Sequence, residues 1–183
     1  MSDTGSNHAR DGGQNGPEDH SDPAGLTHPG RHGRTRPVRE FRMSAADRAG
    51  NAIFSLLARA GIGPAHLLTI RGRKTGRART NPVILVCQDN QRWLVAPYGA
   101  VAWVLNARAA GRVTLRRGRD RQDYIIRELP AAESGPILQR YIRIAPATRP
   151  YFQAGKDSPA GDFTAEARRH PVFELTPIGK DQR

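Results

Sequence analysis

Residues 66–97 contain three short strand-like segments in immediate succession, with no helical segment between them. Each is rich in apolar residues and ends at a polar connection: HLLTI (66–70), RTNPVILVCQ (79–88) and RWLVAP (92–97). Strands joined by short connections pair antiparallel, whereas parallel strands need a crossover of a dozen or more residues. The pattern therefore predicts antiparallel pairing and argues against a doubly wound dinucleotide-binding fold.

The rest of the chain adds helices and further strands. Helices are predicted at 101–111 and 130–145, and strands at 112–117, 121–129 and 170–177. Gly111 supplies a stop for the first helix and Pro130 a start for the second. The Pro-bounded stretch before the last strand is expected to be a loop. Short antiparallel strands with helices at their joints predict an α+β domain that is mainly β, a small barrel with packed helices.

Residues 44–61 predict one more helix, which Ser44 can cap and Gly61 ends. Its apolar face is predicted to consist of Ile53, Leu56, Leu57 and Ala60. The favoured interpretation is that this face packs on the domain. The alternative is peripheral membrane contact through residues 44–60, because the helix also carries arginines.

The first 40 residues differ in composition from the rest. They are rich in Gly, Pro, Asp and His, with five arginines against six acidic residues, although the chain has a net charge of +12. Such a segment cannot bury enough apolar surface to offset its ordering entropy, so we expect 1–40 to be a disordered polar tail and 41–183 the folded domain. A single cysteine excludes a disulfide framework, and no metal-binding motif or apolar run of spanning length is present. These features predict a cytoplasmic protein.

The connection between the first two strands carries five cations within nine positions: Arg71, Arg73, Lys74, Arg77 and Arg79. Lys74-Thr75 could end a P-loop, but Arg73 stands where that motif needs glycine. Gly72 and Gly76 allow the backbone to approach a ligand closely, and arginine binds phosphate or carboxylate bidentately. The pattern predicts a hairpin that binds a compact polyanion. A solvated basic turn and an arm for the DNA minor groove are the alternatives.

A second candidate lies where the third strand leads through Pro97-Tyr98-Gly99-Ala100 into a helix. Unpaired backbone N–H groups at a helix N-terminus favour an anion. Trp103 and Asn106 lie one turn apart on that helix and could supply a flat wall and one amide. Packing of Trp103 in the core is the favoured alternative.

Taken together, LLTIRGRKTGRARTNPVILV, WLVAPYGAVAWVLNARAAGRVTL and HPVFEL resemble the deazaflavin-dependent nitroreductases. Members of this family are largely mycobacterial and related actinobacterial proteins. The resemblance spans roughly residues 45–177 and implies a split β-barrel akin to flavin reductases and pyridoxamine-phosphate oxidases. It also implies binding of the 8-hydroxy-5-deazaflavin coenzyme F420, whose tail of phosphodiester and glutamates is polyanionic. FMN is the less favoured cofactor.

The resemblance implies roles for individual residues. The tail would be held by Arg73, Lys74, Arg77, Arg79 and Asn81. The ring would be lined by Ala96, Pro97, Tyr98, Gly99 and Ala100, with Trp103 and Asn106 behind it. Tyr151 is the preferred proton donor or pocket wall, with Tyr98 and Tyr141 as alternatives. Pro97-Tyr98 replaces a Ser-Lys pair of several members, so their ring contacts do not transfer.

The implied activity is hydride transfer from reduced F420 to an electron-poor small molecule such as a quinone, an enone or a nitro compound. Two other functions stay open on the sequence. One is a split-barrel protein that binds or carries a cofactor or lipid without turnover. The other, which is remote, is a basic module that binds nucleic acid. The oligomeric state is left open.

Overall fold

The computed structural model describes residues 55–179, which form a closed six-stranded antiparallel barrel with helices packed against it. The strands are β1 (Ala65–Arg71), β2 (Ala78–Gln88), β3 (Gln91–Val95), β4 (Arg112–Arg117), β5 (Asp120–Glu128) and β6 (Val172–Pro177). Around the barrel they run in the order β1-β2-β3-β6-β5-β4. The split β-barrel expected from the sequence is confirmed.

Two ladders of β1 have very different lengths. Its pairing with β2 extends from Ala65↔Ile84 to Arg71↔Ala78, so the β1–β2 connection projects from the end of a long hairpin. Its pairing with β4 ends at Thr69↔Thr114. The barrel is closed by this short ladder, and beyond it the last residues of β1 and the first residues of β4 are not paired with each other.

The helices are α1 (whose described part is 55–60), α2 (Ala102–Ala110), α3 (Ala131–Ile144) and α4 (Ala160–Glu166), with 3₁₀ turns at Pro146–Tyr151 and Ala167–Arg169. One hydrophobic cluster fills the barrel and includes Leu68, Leu94 and Phe173 together with the buried face of α2. A second lies beneath α3 and α4 and includes Leu138 and Phe163. The helices thus cover two sides of the barrel with separate cores.

All the predicted strands and the helices α2 and α3 are confirmed within one to two residues at each end. The prediction of a loop before the last strand was wrong, because this stretch contains α4 and both 3₁₀ turns. Phe163 is its fully buried anchor, and a single buried aromatic in seven residues gives no helical periodicity.

The helix predicted from Ser44 ends as expected at Gly61, whose φ of +75° suits glycine. Its predicted start, Ile53 and the tail 1–40 lie outside the described residues. In the described turn the predicted apolar face is wrong: Ala58 is buried, whereas Leu56 is 66% exposed and Leu57 and Ala60 are also exposed. Within residues 55–179, no helix is long and apolar enough to cross a membrane.

Candidate functional site

The β1–β2 connection, residues 72–77, is a compact loop held by its own backbone. The Gly72 N–H donates to the Arg77 carbonyl at 2.9 Å, and the Gly76 N–H donates to the Gly72 carbonyl at 2.8 Å. A Cβ on Gly72 would lie 3.1 Å from the Arg77 oxygen, so this close approach favours glycine. Gly76 has a φ of +67°, which side chains disfavour. The two glycines thus make a defined loop rather than a flexible arm.

The cationic side chains of this basic loop, and of Arg79 just beyond it on β2, are exposed. Within residues 55–179, no Asp or Glu forms an ion pair with Lys74, Arg77 or Arg79. Elsewhere in the described structure, arginines do form ion pairs with acidic side chains: Arg108 binds Glu128 bidentately, at 2.6 and 2.7 Å. Like charges held together on one hairpin repel each other unless an anion lies between them. The loop therefore has the charge and the donors for a polyanion.

Asn106 connects the basic loop to α2. Its Oδ1 accepts hydrogen bonds from the backbone N–H of Arg73 at 3.2 Å and from the Arg73 guanidinium at 3.1 Å. Asn106 is buried, so its amide is held in the helix–hairpin contact. The neighbouring Trp103 is partly buried against the barrel core, with its ring centroid 6.0 Å from that of Phe173. Two candidate segments far apart in sequence are thus in direct contact.

The turn that leads into α2 is partly buried. Ala96 and Pro97 are buried, whereas Tyr98 and Ala100 are exposed. Gly99 has a φ of +81°, and a Cβ there would lie 3.4 Å from the Arg169 carbonyl oxygen. No side chain caps the helix, whose N-cap residue is Val101. The Gly99 and Val101 N–H groups already donate to the Ala96 and Gly99 carbonyls. The turn can therefore offer a ligand the exposed Tyr98 ring, but not the buried Ala96 side chain.

Two of the candidate tyrosines meet across the chain. The rings of Tyr98 and Tyr151 pack edge to face, with centroids 4.7 Å apart and an interplanar angle of 82°. Tyr141 is buried next to them, and burial, with a smaller contribution from Tyr98, raises its pKa well above the usual tyrosine value. Because its proton is held so firmly and the residue is inaccessible, Tyr141 is a poorer proton donor than the two partly exposed rings.

A cavity of about 720 Å³ opens beside the basic loop, where the β1–β4 ladder stops. It is lined by the ends of β1, α2, β4 and β5 and includes Arg71, Arg112 and Arg121. Its acidic side is Asp123, which accepts a hydrogen bond from the Thr114 hydroxyl at 2.7 Å. The cavity extends the cationic surface past the carboxyl end of α2, away from the Tyr98 turn.

Sequence reasoning missed two buried polar residues beneath the turn, Glu166 and His170. The histidine Nδ1 lies 3.0 Å from the Pro97 carbonyl oxygen, and Glu166 binds backbone N–H groups that follow Tyr151. The only sequence signal was their i,i+4 spacing, with Glu166 in the stretch predicted to be a loop and His170 at the start of the predicted last strand. That spacing does not indicate partners 12, 13 and 73 residues away in the sequence.

A model of the F420H(2)-dependent quinone reductase family matches residues 40–159, which include the basic loop, α2 and both accessible tyrosines. The chain belongs to this family. It is accordingly an F420H2-dependent reductase with coenzyme F420 as its cofactor, as the sequence resemblance implied. The family assignment favours catalysis over mere carriage of a cofactor, and F420 over FMN.

Solved structures resemble the chain at low sequence identity. An F420-H2 dependent reductase, FDR-A, is 24% identical, with 62% of this chain and 94% of that chain covered and a TM-score of 0.41. A chain described as a domain-swapped dimer is 22% identical over 73% of this chain and 100% of its own, with a TM-score of 0.46. A FAD-binding protein from Mesorhizobium loti is 14% identical over 75% of this chain and 91% of its own, with a TM-score of 0.42.

Proposed function

We propose that this F420H2-dependent reductase grips the coenzyme's phosphate and glutamates with the basic loop and reduces a quinone, an enone or a nitro compound. The observation that carries the proposal is the set of exposed cations on the loop for which residues 55–179 offer no carboxylate. A polyanionic tail supplies the missing charge. The residues present therefore fit the cofactor of the family.

The proposed contacts to the coenzyme tail are of two kinds, from a lysine ammonium group and from planar arginine guanidinium groups. Lys74 offers three rotatable N–H donors, and Arg77 and Arg79 offer planar forks that match phosphate and carboxylate oxygens. Arg73 uses one guanidinium nitrogen on Asn106 and keeps further N–H groups for the tail. Asn81, half-buried on β2, completes the set as a neutral donor.

The turn 96–100 is the proposed wall for the deazaflavin ring, with the helix of Trp103 and Asn106 behind it. Exposed Tyr98 and half-buried Tyr151 form one apolar corner with a hydroxyl on each ring. When bound, the reduced coenzyme supplies the hydride. The protein orients the acceptor, excludes water, and donates a proton from a phenol, for which Tyr151 is our first choice.

The experiment is a titration of oxidised F420 followed by quenching of its fluorescence. We expect Lys74→Ala/Arg77→Ala to weaken binding strongly. The matched control is Arg92→Ala/Arg119→Ala, which removes the same charge at the opposite end of the barrel, where β3 begins and β4 turns into β5. Equal losses in both double variants would mean that only net charge matters. Tight FMN binding without F420 binding would refute the proposal.

Turnover is tested separately with soluble quinone, enone and nitro acceptors. Reduction of at least one by the F420H2-loaded protein, slowed in the loop variant at subsaturating coenzyme, is the expected result. Binding without reduction of any acceptor would favour a carrier instead.

We propose further that the protein works in the cytoplasm, at the inner face of the membrane. Leu56, Leu57 and Ile62 are exposed together around the end of α1, and Arg59 lies on the same turn. An apolar patch beside arginine favours an anionic bilayer surface, and the exposed thiol of Cys87 suits a reducing compartment. Co-sedimentation with anionic but not zwitterionic vesicles, lost in Leu56→Ser/Ile62→Ser, is the expected result. No sedimentation with either vesicle would refute it.

A further inference from the structure

Glu166 and His170 are buried polar residues at the end of α4 and just before β6. Glu166 is 2% exposed and His170 is 4% exposed. A buried polar side chain costs free energy unless its atoms are hydrogen-bonded. The partners of these two residues therefore identify what the pair holds in place.

Glu166 holds the segment that follows Tyr151. Its Oε2 accepts the Gln153 N–H at 2.8 Å, and its Oε1 accepts the Ala154 N–H at 2.6 Å. Two charge-assisted bonds from consecutive amides leave the segment little freedom to shift. The position of Tyr151, two residues before the first of these amides, is thereby tied to α4.

His170 holds the turn that carries Tyr98. Its Nδ1 donates to the Pro97 carbonyl oxygen at 3.0 Å, and because a carbonyl can only accept, the proton must lie on Nδ1. The imidazole stacks on Phe152, with centroids 3.9 Å apart and an interplanar angle of 21°. Its Nε2 is 3.6 Å from Glu166 Oε2, beyond hydrogen-bond reach, and has no hydrogen-bond partner within residues 55–179.

The backbone on either side of His170 reinforces this contact. The Ala96 N–H donates to the Pro171 carbonyl at 2.9 Å, and the Arg169 carbonyl lies against Gly99. The three consecutive residues 169–171 therefore contact the turn at Ala96, Pro97 and Gly99. The turn is built on this segment.

We propose that Glu166 and His170 are positioning residues that fix the segments of Tyr151 and Tyr98 against each other, and so set the corner in which ring and acceptor meet. This inference rests on the proposed function, which assigns that corner to the deazaflavin. Its structural basis is one continuous stretch of chain, made of α4, the second 3₁₀ turn and His170, which contacts both segments. The edge-to-face contact of the two tyrosines, whose ring centroids are 4.7 Å apart, results from this positioning.

The first test uses the protein without cofactor and measures amide hydrogen exchange. We expect His170→Phe, which can still stack on Phe152, to speed exchange of the Gly99 amide. We expect Glu166→Gln to speed exchange of the Gln153 and Ala154 amides. His170→Asn, whose amide can replace the Nδ1 donor, should restore protection of the turn. Leu67→Ala, an apolar change in a separate cluster with Ala58 and Ala65, is the control and should affect neither segment selectively.

The second test measures F420 affinity and the single-turnover rate of hydride transfer to a soluble quinone. His170→Phe should keep the affinity, because the basic loop is untouched, but slow transfer by about tenfold or more, since a misplacement of about 1 Å can cost about 100-fold. Leu67→Ala should lower Tm, because Leu67 is buried, and leave the rate unchanged. The rate should recover in His170→Asn.

Equal exchange and equal rates in His170→Phe and Leu67→Ala would overturn the inference, because the histidine would then act only through stability. Failure of the wild-type protein to bind F420 would instead overturn the proposed function. The exchange measurement would still decide whether the pair positions the two segments.

Discussion

Arg73 is joined to Asn106 by two hydrogen bonds on a single oxygen, from its backbone N–H at 3.2 Å and from its guanidinium at 3.1 Å. The contact links residues 33 positions apart and places the basic loop on α2. It also explains why a buried asparagine stands on the otherwise apolar inner face of that helix.

Replacing Asn106 by Leu should therefore loosen the loop. Loss of one acceptor for two donors is expected to lower the free energy of unfolding by about 1 kcal/mol and to weaken F420 binding. Asn106→Asp keeps the acceptor and should keep the stability. Urea unfolding and fluorescence quenching measure the two effects, and unchanged binding in Asn106→Leu would mean that the loop does not depend on α2.

The tail should supply much of the affinity for the coenzyme. A hydrogen bond to a charged group contributes about 1.5–3 kcal/mol, so a deazaflavin riboside without phosphate and glutamates should bind about 100-fold more weakly or worse. Coenzymes with more glutamates should bind progressively tighter. The same quenching titration tests this, and equal affinity for the riboside would contradict a role for Lys74, Arg77 and Arg79.

Substitution of Gly76 should be limited by its backbone conformation and not by crowding. Its φ is +67°, yet an added Cβ meets nothing within 4 Å. Gly76→Val should destabilise by about 1–2 kcal/mol from the left-handed conformation, and Gly76→Asn by less. Gly161→Ala, in α4 with equally open space, is the control and should be neutral or slightly stabilising. Thermal unfolding ranks the three, and equal Tm values for Asn and Val would contradict the reason given.

Stability should fall in mildly acidic solution because of two histidines. Burial lowers the pKa of His170, against the opposing effect of Glu166, and burial also lowers the pKa of His66. Below about pH 6.5 the unfolded chain binds protons that the folded protein refuses, so stability decreases as pH falls through the unfolded value and levels off below the folded one. Urea midpoints between pH 7.5 and 5 should show a shallower decline in His170→Phe and in His66→Gln. An identical decline in both variants and the wild type would assign it to other groups.

Removing the hydroxyl of Tyr151 tests its role as a proton donor. Tyr151→Phe keeps the ring contact with Tyr98 and should lower the rate at saturating acceptor by about 100-fold, the lower end for a general acid. Tyr98→Phe is the matched variant and should have a smaller effect. Equal, small effects of both would point to solvent as the proton source. Rapid-mixing absorbance of the coenzyme measures both rates.

Local sequence patterns were enough to predict most of the fold, because its strands are short, sequential and bounded by turns. The loop 72–77 was predicted as an anion-binding hairpin from glycines and cations alone; the structure confirms the hairpin, and anion binding stays a prediction. The stretch that contains α4 was predicted wrongly because a helix anchored by Phe163 alone gains its stability from packing rather than from periodicity. The apolar face of α1 was predicted wrongly because Leu56 and Leu57 have the right spacing but lack a surface to cover in the described structure.

The sequence by itself determined the strand succession, the basic loop, the turn before α2 and the family resemblance, since each depends on residues adjacent in the chain. The tertiary structure alone decided which segments meet. Barrel closure placed Arg73 on Asn106 and Tyr98 on Tyr151, and it brought His170 to a carbonyl 73 residues away. Such contacts depend on the register and packing of the whole barrel, which no local pattern encodes.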